Sequence, residues 1–101
     1  MFDLERDVER KLIDMVKRHG GRCLKFVCPG QAGVPDRIIL LPRGRVVFVE
    51  TKRPKGGRTS ELQKYWHREL RRFGFDAYFI HTKEAVIGLE LTLFGGGDDE
   101  V

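Results

Sequence analysis

Two apolar runs, Arg37-Ile38-Ile39-Leu40-Leu41 and Arg45-Val46-Val47-Phe48-Val49, flank the turn-forming triplet Pro42-Arg43-Gly44; Asp36 precedes the first run and Glu50-Thr51-Lys52 follows the second. Ile, Leu, Val and Phe in short runs on either side of a Pro/Gly turn predict a β-hairpin, with strands over 36–41 and 45–51. If the triplet is a three-residue loop, Leu41 pairs with Arg45, and the same register sets Asp36 directly opposite Glu50. Opposed side chains have Cβ atoms about 4.5–5.5 Å apart, where like charges repel. Lys52 lies two residues beyond Glu50 and so projects from the same face, whereas Arg37 and Arg45 project from the other. A two-residue loop would instead set Asp36 against Thr51.

Two opposed carboxylates between hydrophobic strands need a compensating cation. Lys52 is one candidate and a bound ion is the other. Oxygen donors of this kind suit a hard divalent metal, Mg²⁺ or Mn²⁺, which polarises a phosphoryl oxygen and acidifies a water. The plainer alternative is a Glu50–Lys52 salt bridge with Asp36 capping the loop.

Outward from the hairpin, residues 3–19 predict a helix stopped by Gly20-Gly21. Its helical wheel gathers Leu4, Val8, Leu12 and Met15 in one stripe, with Val16 and Ile13 on a flank. Glu9 falls between those two, where an unpaired charge is costly; a surface pairing with Arg10 or Lys11 is the ordinary explanation. Residues 22–27 predict a short strand and 28–34, rich in turn formers, a loop. After the hairpin, 53–58 is a basic loop. Ser60 begins a helix with Gln63 in capping-box position, ending near Phe73 before Gly74. A strand over 77–80 and a short helix over 83–89 complete the order α-β-β-β-α-β-α. Residues 1–94 form one domain in this reading, and 95–101 a disordered Gly-rich acidic tail.

The chain has 101 residues, enough for one compact domain. It has no apolar run near the roughly 20 residues that span a bilayer, and its acidic N-terminal stretch does not read as a signal peptide. Nineteen Lys and Arg oppose fifteen Asp and Glu, and three of those acids lie in the last four residues. Between 51 and 72 there are eight bases and two acids, a concentration that attracts nucleic acid. Cys23 and Cys28 have no second pair to complete a zinc site and read as free thiols of a reducing cytoplasm. Three histidines are scattered.

Pro35-Asp36 followed by Glu50-Thr51-Lys52 is similar to the PD-(D/E)XK nuclease signature. The surroundings are more specific. Gly33-Val34-Pro35-Asp36-Arg37, then Val47 and Val49 ahead of Glu50-Thr51-Lys52, Gln63 early in the next helix and Glu9 in the first together resemble the VRR-NUC family, especially its short stand-alone members of phage and bacterial genomes. Lys25 and the Gly20-Gly21 stop also fit, and the resemblance spans roughly residues 5–87. It implies a restriction-endonuclease-like α/β core around a central mixed sheet, and a Mg²⁺- or Mn²⁺-dependent endonuclease acting on DNA in the cytoplasm of a bacterial or phage-infected cell. By position, Glu9, Asp36 and Glu50 would hold the metal with the Thr51 carbonyl. Lys52 would be the catalytic lysine and Gln63 a helper, unless Gln63 serves only the capping box. Stand-alone members resemble Holliday-junction resolvases in forming homodimers, which implies a branched DNA substrate. Arg53, Lys55, Arg58, Lys64, Arg68 and Arg71 would grip phosphates without reading sequence, with Arg37 and Lys25 as further candidates. The competing reading is a non-catalytic nucleic-acid-binding module of the same shape.

Overall fold

A computed structural model of the chain describes residues 4–52 and 59–95. The elements run α1 (Glu5–Arg18), β1 (Arg22–Lys25), β2 (Arg37–Leu41), β3 (Arg45–Thr51), α2 (Glu61–Arg72), β4 (Asp76–Ile80) and α3 (Lys83–Glu90). This is the expected order. The strands form one mixed sheet in the order β1-β2-β3-β4, antiparallel except for the parallel pair β3/β4.

The hairpin has the register its loop length dictates: Leu41 pairs with Arg45, Ile39 with Val47 and Arg37 with Val49. Pro42–Gly44 forms a single 3-10 turn in which Arg43 and Gly44 both take left-handed backbone, at φ 68° and 73°. Gly44 adopts it without strain, whereas Arg43 does so against the steric preference of an L-residue.

Strand alternation gives the sheet two unlike faces. Ile39, Leu41, Val47, Val49 and Ile80 join Val8, Leu12, Met15 and Val16 of α1 and Val86 and Leu89 of α3 in one buried core. Leu4, expected in the α1 stripe, instead precedes the helix as its N-cap residue and is half exposed. On the opposite face, Leu24, Ile38 and Phe48 form a row across β1, β2 and β3. Phe26 and Phe75 pack on Phe48 with ring centroids 5.8 and 5.6 Å away. Helix α2 packs against the edge strand β4, and Leu24, Leu40 and Phe75 stay exposed.

Several boundaries differ from expectation. β1 ends at Lys25 instead of 27, although Phe26 N–H still donates to the Asp36 carbonyl at 2.8 Å. Asp36 stands one residue before β2, at a bend, because its side chain is drawn to Thr51 across the end of the hairpin. β4 gains Asp76 through its pairing with Val47. After α3 the chain makes a π-helical turn over Leu91–Gly95 that buries Leu93, so Gly95 belongs to the folded domain. Residues 96–101 of the expected tail lie outside the described residues.

Candidate active site

The carboxylates sit where the hairpin opens. Glu50 is the last but one residue of β3, between Val49 and Thr51, and is 7% exposed. Asp36 leads into β2 on the neighbouring strand. Its Oδ1 accepts from Thr51 N–H at 3.0 Å and its Oδ2 from the Thr51 hydroxyl at 2.8 Å. The loop has three residues, yet Asp36 bonds Thr51, the neighbour expected of a two-residue loop, because it stands outside the paired strand; its charge still acts on Glu50.

Lys52 follows on the same face, its Nζ 3.9 Å from Glu50 Oε2 and its side chain only 14% exposed. The salt bridge foreseen as the plainer alternative thus exists, but it does not compensate Glu50. Burial, and next the Asp36 charge, push the Glu50 carboxyl from 4.5 up to about 7, against the opposing pull of Lys52. Glu5, one turn before Glu9 on α1, raises it further.

Gln63 is both the capping-box residue and a hydrogen-bond partner of Glu50. The Ser60 side chain accepts from Gln63 N–H at 3.1 Å, and Gln63 Oε1 accepts from Ser60 N–H at 3.0 Å, a complete capping box. The other end of the same amide, Nε2, donates to Glu50 Oε2 at 3.2 Å. A cap thus fixes the amide orientation that meets the carboxylate. The loop before Asp36 lies close to the start of this helix. Gly33 has φ +90°, and a Cβ there would come within 2.6 Å of Leu62, so only glycine allows this approach.

Glu9 is placed differently. Its Oε2 lies 3.1 Å from both Nε and Nη2 of Arg37, with the two side chains 24% and 13% exposed. The partner is a β2 arginine on the core face of the sheet, neither Arg10 nor Lys11, and the ion pair engages Nε and Nη2 of Arg37. Among the described residues no three His, Cys, Asp or Glu side chains converge as a metal cluster. The donors present still fit a hard cation: two carboxylates suffice for Mg²⁺, which keeps several waters, and burial beside Asp36 leaves Glu50 short of positive charge. Glu5 is the α1 residue that sequence reasoning passed over, although its position one turn from Glu9 was a usable signal.

Among the basic candidates, Lys25 and Arg68 are exposed, and Lys64 is exposed and paired with Glu61 at 3.2 Å. Arg71 donates to the Ala77 carbonyl and lies over the Tyr78 ring, so it secures α2 to β4. Arg53, Lys55 and Arg58 lie outside the described residues. Both cysteines are free, and burial pushes the Cys23 thiol up to about 11, which makes it a poor nucleophile.

A mixed sheet with acid, acid and lysine at the mouth of its central hairpin, and a glutamine delivered by the following helix, is the arrangement that the resemblance to PD-(D/E)XK nucleases implies. Comparison narrows this. The model of the VRR-NUC domain matches residues 22–84, and the chain belongs to the VRR-NUC family. It is 36% identical over 80 residues to "Putative nuclease p44" of Acyrthosiphon pisum secondary endosymbiont phage 1, covering 79% of this chain and 85% of that one. A solved structure of a VRR_NUC domain superposes with a TM-score of 0.78 at 27% identity, covering 84% of this chain and 91% of the other.

Proposed function

We propose that this nuclease is a divalent-metal-dependent endonuclease that hydrolyses phosphodiester bonds in branched DNA as a homodimer. The observation that carries the metal dependence is buried Glu50, held between Asp36, Lys52 and Gln63 and driven toward its neutral form by burial and by Asp36. A cation at these oxygens restores the ionised pair.

Asp36 and Glu50 would hold Mg²⁺ or Mn²⁺, with the Thr51 carbonyl as a third donor. When bound, the ion supplies Lewis-acid polarisation of the phosphate and acidifies water. The protein's own groups do the rest. Lys52 Nζ, on the same face as Glu50, stabilises the negative charge that develops on the phosphate as water adds. Gln63 keeps the Glu50 carboxylate from rotating, and the Thr51 N–H and hydroxyl do the same for Asp36. Glu9, neutralised by Arg37, supports the frame between α1 and β2, and Glu5 is the α1 carboxylate whose charge reaches the site. Lys25, Lys64 and Arg68 at the surface, with Arg53, Lys55 and Arg58 in the adjoining segment, attract flanking phosphates.

The homodimer is supported by the open sheet face. Leu24 and Leu40 on that face remain 42% and 40% exposed, apolar area that a partner would bury. A second copy covering that face about a two-fold axis would set two sites for opposing strands. The test is incubation with four-way junctions, flaps and linear duplex in Mg²⁺, Mn²⁺ or EDTA, alongside the mass in solution. Metal-dependent products from branched substrates by a dimer are expected. Binding that survives chelator with no products under any metal would establish the non-catalytic alternative.

A further inference from the structure

Helix α2 carries Gln63 to the site, yet His67 is its only fully buried residue. The imidazole of His67 is 5% exposed and lies flat on the Phe79 ring, with centroids 3.7 Å apart and planes within 11°. Each ring nitrogen faces a backbone carbonyl: Nδ1 is 3.0 Å from that of Gln63, one turn back in the same helix, and Nε2 is 3.2 Å from that of Tyr78 in β4. In the β3/β4 ladder, Phe79 is the partner of Glu50 and Tyr78 the partner of Val49. One ring therefore touches the backbone of the residue that orients Glu50, the strand beside Glu50, and the aromatic side chain paired with it.

An ordinary core role would be served by any apolar side chain of similar size. The neutral imidazole has one N–H to donate to one of these carbonyls, 3.0 and 3.2 Å away, and an apolar side chain would give up that buried hydrogen bond between α2 and β4 or within α2. The contacts also set a distance. The Gln63 amide nitrogen reaches Glu50 at 3.2 Å, so a small slide of α2 along β4 breaks that bond. Arg71, bonded to Ala77 one turn further on, secures the far end of the helix but does not touch Gln63.

We infer that His67 is a positioning residue: it locks the register of α2 on β4 so that the Gln63 amide meets the Glu50 carboxylate. This rests on the nuclease site proposed above, but its first readout does not depend on cleavage. In metal-free protein, His67→Phe keeps the ring stack and loses both carbonyl contacts. Its Gln63 side-chain amide signals in ¹⁵N NMR are expected to move to the positions they take in Glu50→Gln, with Ser60 still capping the helix. Unmoved Gln63 signals in a folded His67→Phe protein would overturn the proposal, whatever the enzyme cleaves.

In cleavage assays on whichever substrate the wild type cuts, His67→Phe is expected to lower kcat about ten- to a hundredfold, the weight of a hydrogen bond to a charged group, with KM within about twofold. The double variant with Gln63→Ala should be no slower than Gln63→Ala alone, because both changes remove one interaction. Multiplying losses would assign His67 to general stability and overturn the inference. If His67→Phe fails to fold, His67→Leu carries the same comparison, and His67→Gln, which retains polar atoms for the carbonyls, is expected to keep the Gln63 signals and kcat near the wild type; a His67→Gln protein as impaired as the apolar variant would overturn the proposal.

Discussion

Replacing Glu50 by Gln should strengthen the fold while destroying the site, and the gain should grow with pH. Burial and the Asp36 charge raise the Glu50 carboxyl from 4.5 to about 7. A raised carboxyl pKa means that the folded state binds more protons than the unfolded one between those values, so stability is lost as pH rises through that window. At about 1.4 kcal/mol per tenfold ratio, the penalty is under about 1 kcal/mol at pH 5 and reaches about 3 kcal/mol at pH 8. Glutamine has the shape of the protonated acid and carries no titration, and all other groups cancel between the two proteins. Urea denaturation in EDTA should therefore show Glu50→Gln gaining about 2 kcal/mol on the wild type from pH 5 to pH 8. Mn²⁺ at pH 8 should stabilise the wild type and leave the variant unmoved. Parallel pH curves for the two proteins would refute the account of Glu50 as an electrostatically stressed carboxylate, and with it the argument for a cation.

Other outcomes follow from the same geometry. Asp36→Asn and Lys52→Ala should each lower cleavage by about a hundred- to a thousandfold; Asp36→Asn cleaving a branched substrate at the wild-type rate in Mg²⁺ would remove Asp36 from the chemistry. Glu9→Gln should destabilise the fold by about 1–3 kcal/mol by leaving Arg37 without its partner, whereas Glu5→Gln should lower the Glu50 pKa, as read by ¹³C NMR, and raise the urea midpoint slightly at pH 8 and not at pH 4. Neutralising Arg53, Lys55 and Arg58 together should reduce the slope of log affinity against log salt by about 2–3 for duplex DNA; an unchanged slope would place the phosphate surface elsewhere.

The hairpin was legible because everything that determines it is local. Loop length sets the pairing of Leu41 with Arg45 and so of Arg37 with Val49, which brings Asp36 to the end of β3 without reference to the rest of the chain; that Asp36 leaves the strand and bonds Thr51 was not legible. The capping box at Ser60 and Gln63 was equally local. Glu9 was not legible in full: its position on the helix showed that it needed a partner, but Arg37 lies 28 residues away, and strand periodicity gave only the face from which it projects. The same distance hid Glu5, whose nearness to Glu50 depends on how α1 crosses the sheet. His67 carried no motif of its own. Its i, i+4 spacing from Gln63 placed the two on one side of α2, but the Tyr78 carbonyl that completes its surroundings exists only once β4 has paired with β3.

The three-residue turn at Pro42–Gly44 acts as a length gauge for an active centre at the far end of the hairpin. Inserting or deleting one residue there alters no charge and no atom near Asp36, yet it sets a turn favouring a pairing shifted by one step, which would send one of the two acids to the opposite side of the sheet, against a core register held by Ile39, Leu41, Val47 and Val49. The tip thus bears on the site through its length and not through its side chains: the buried strands resist the slip, and the turn decides how far they are asked to.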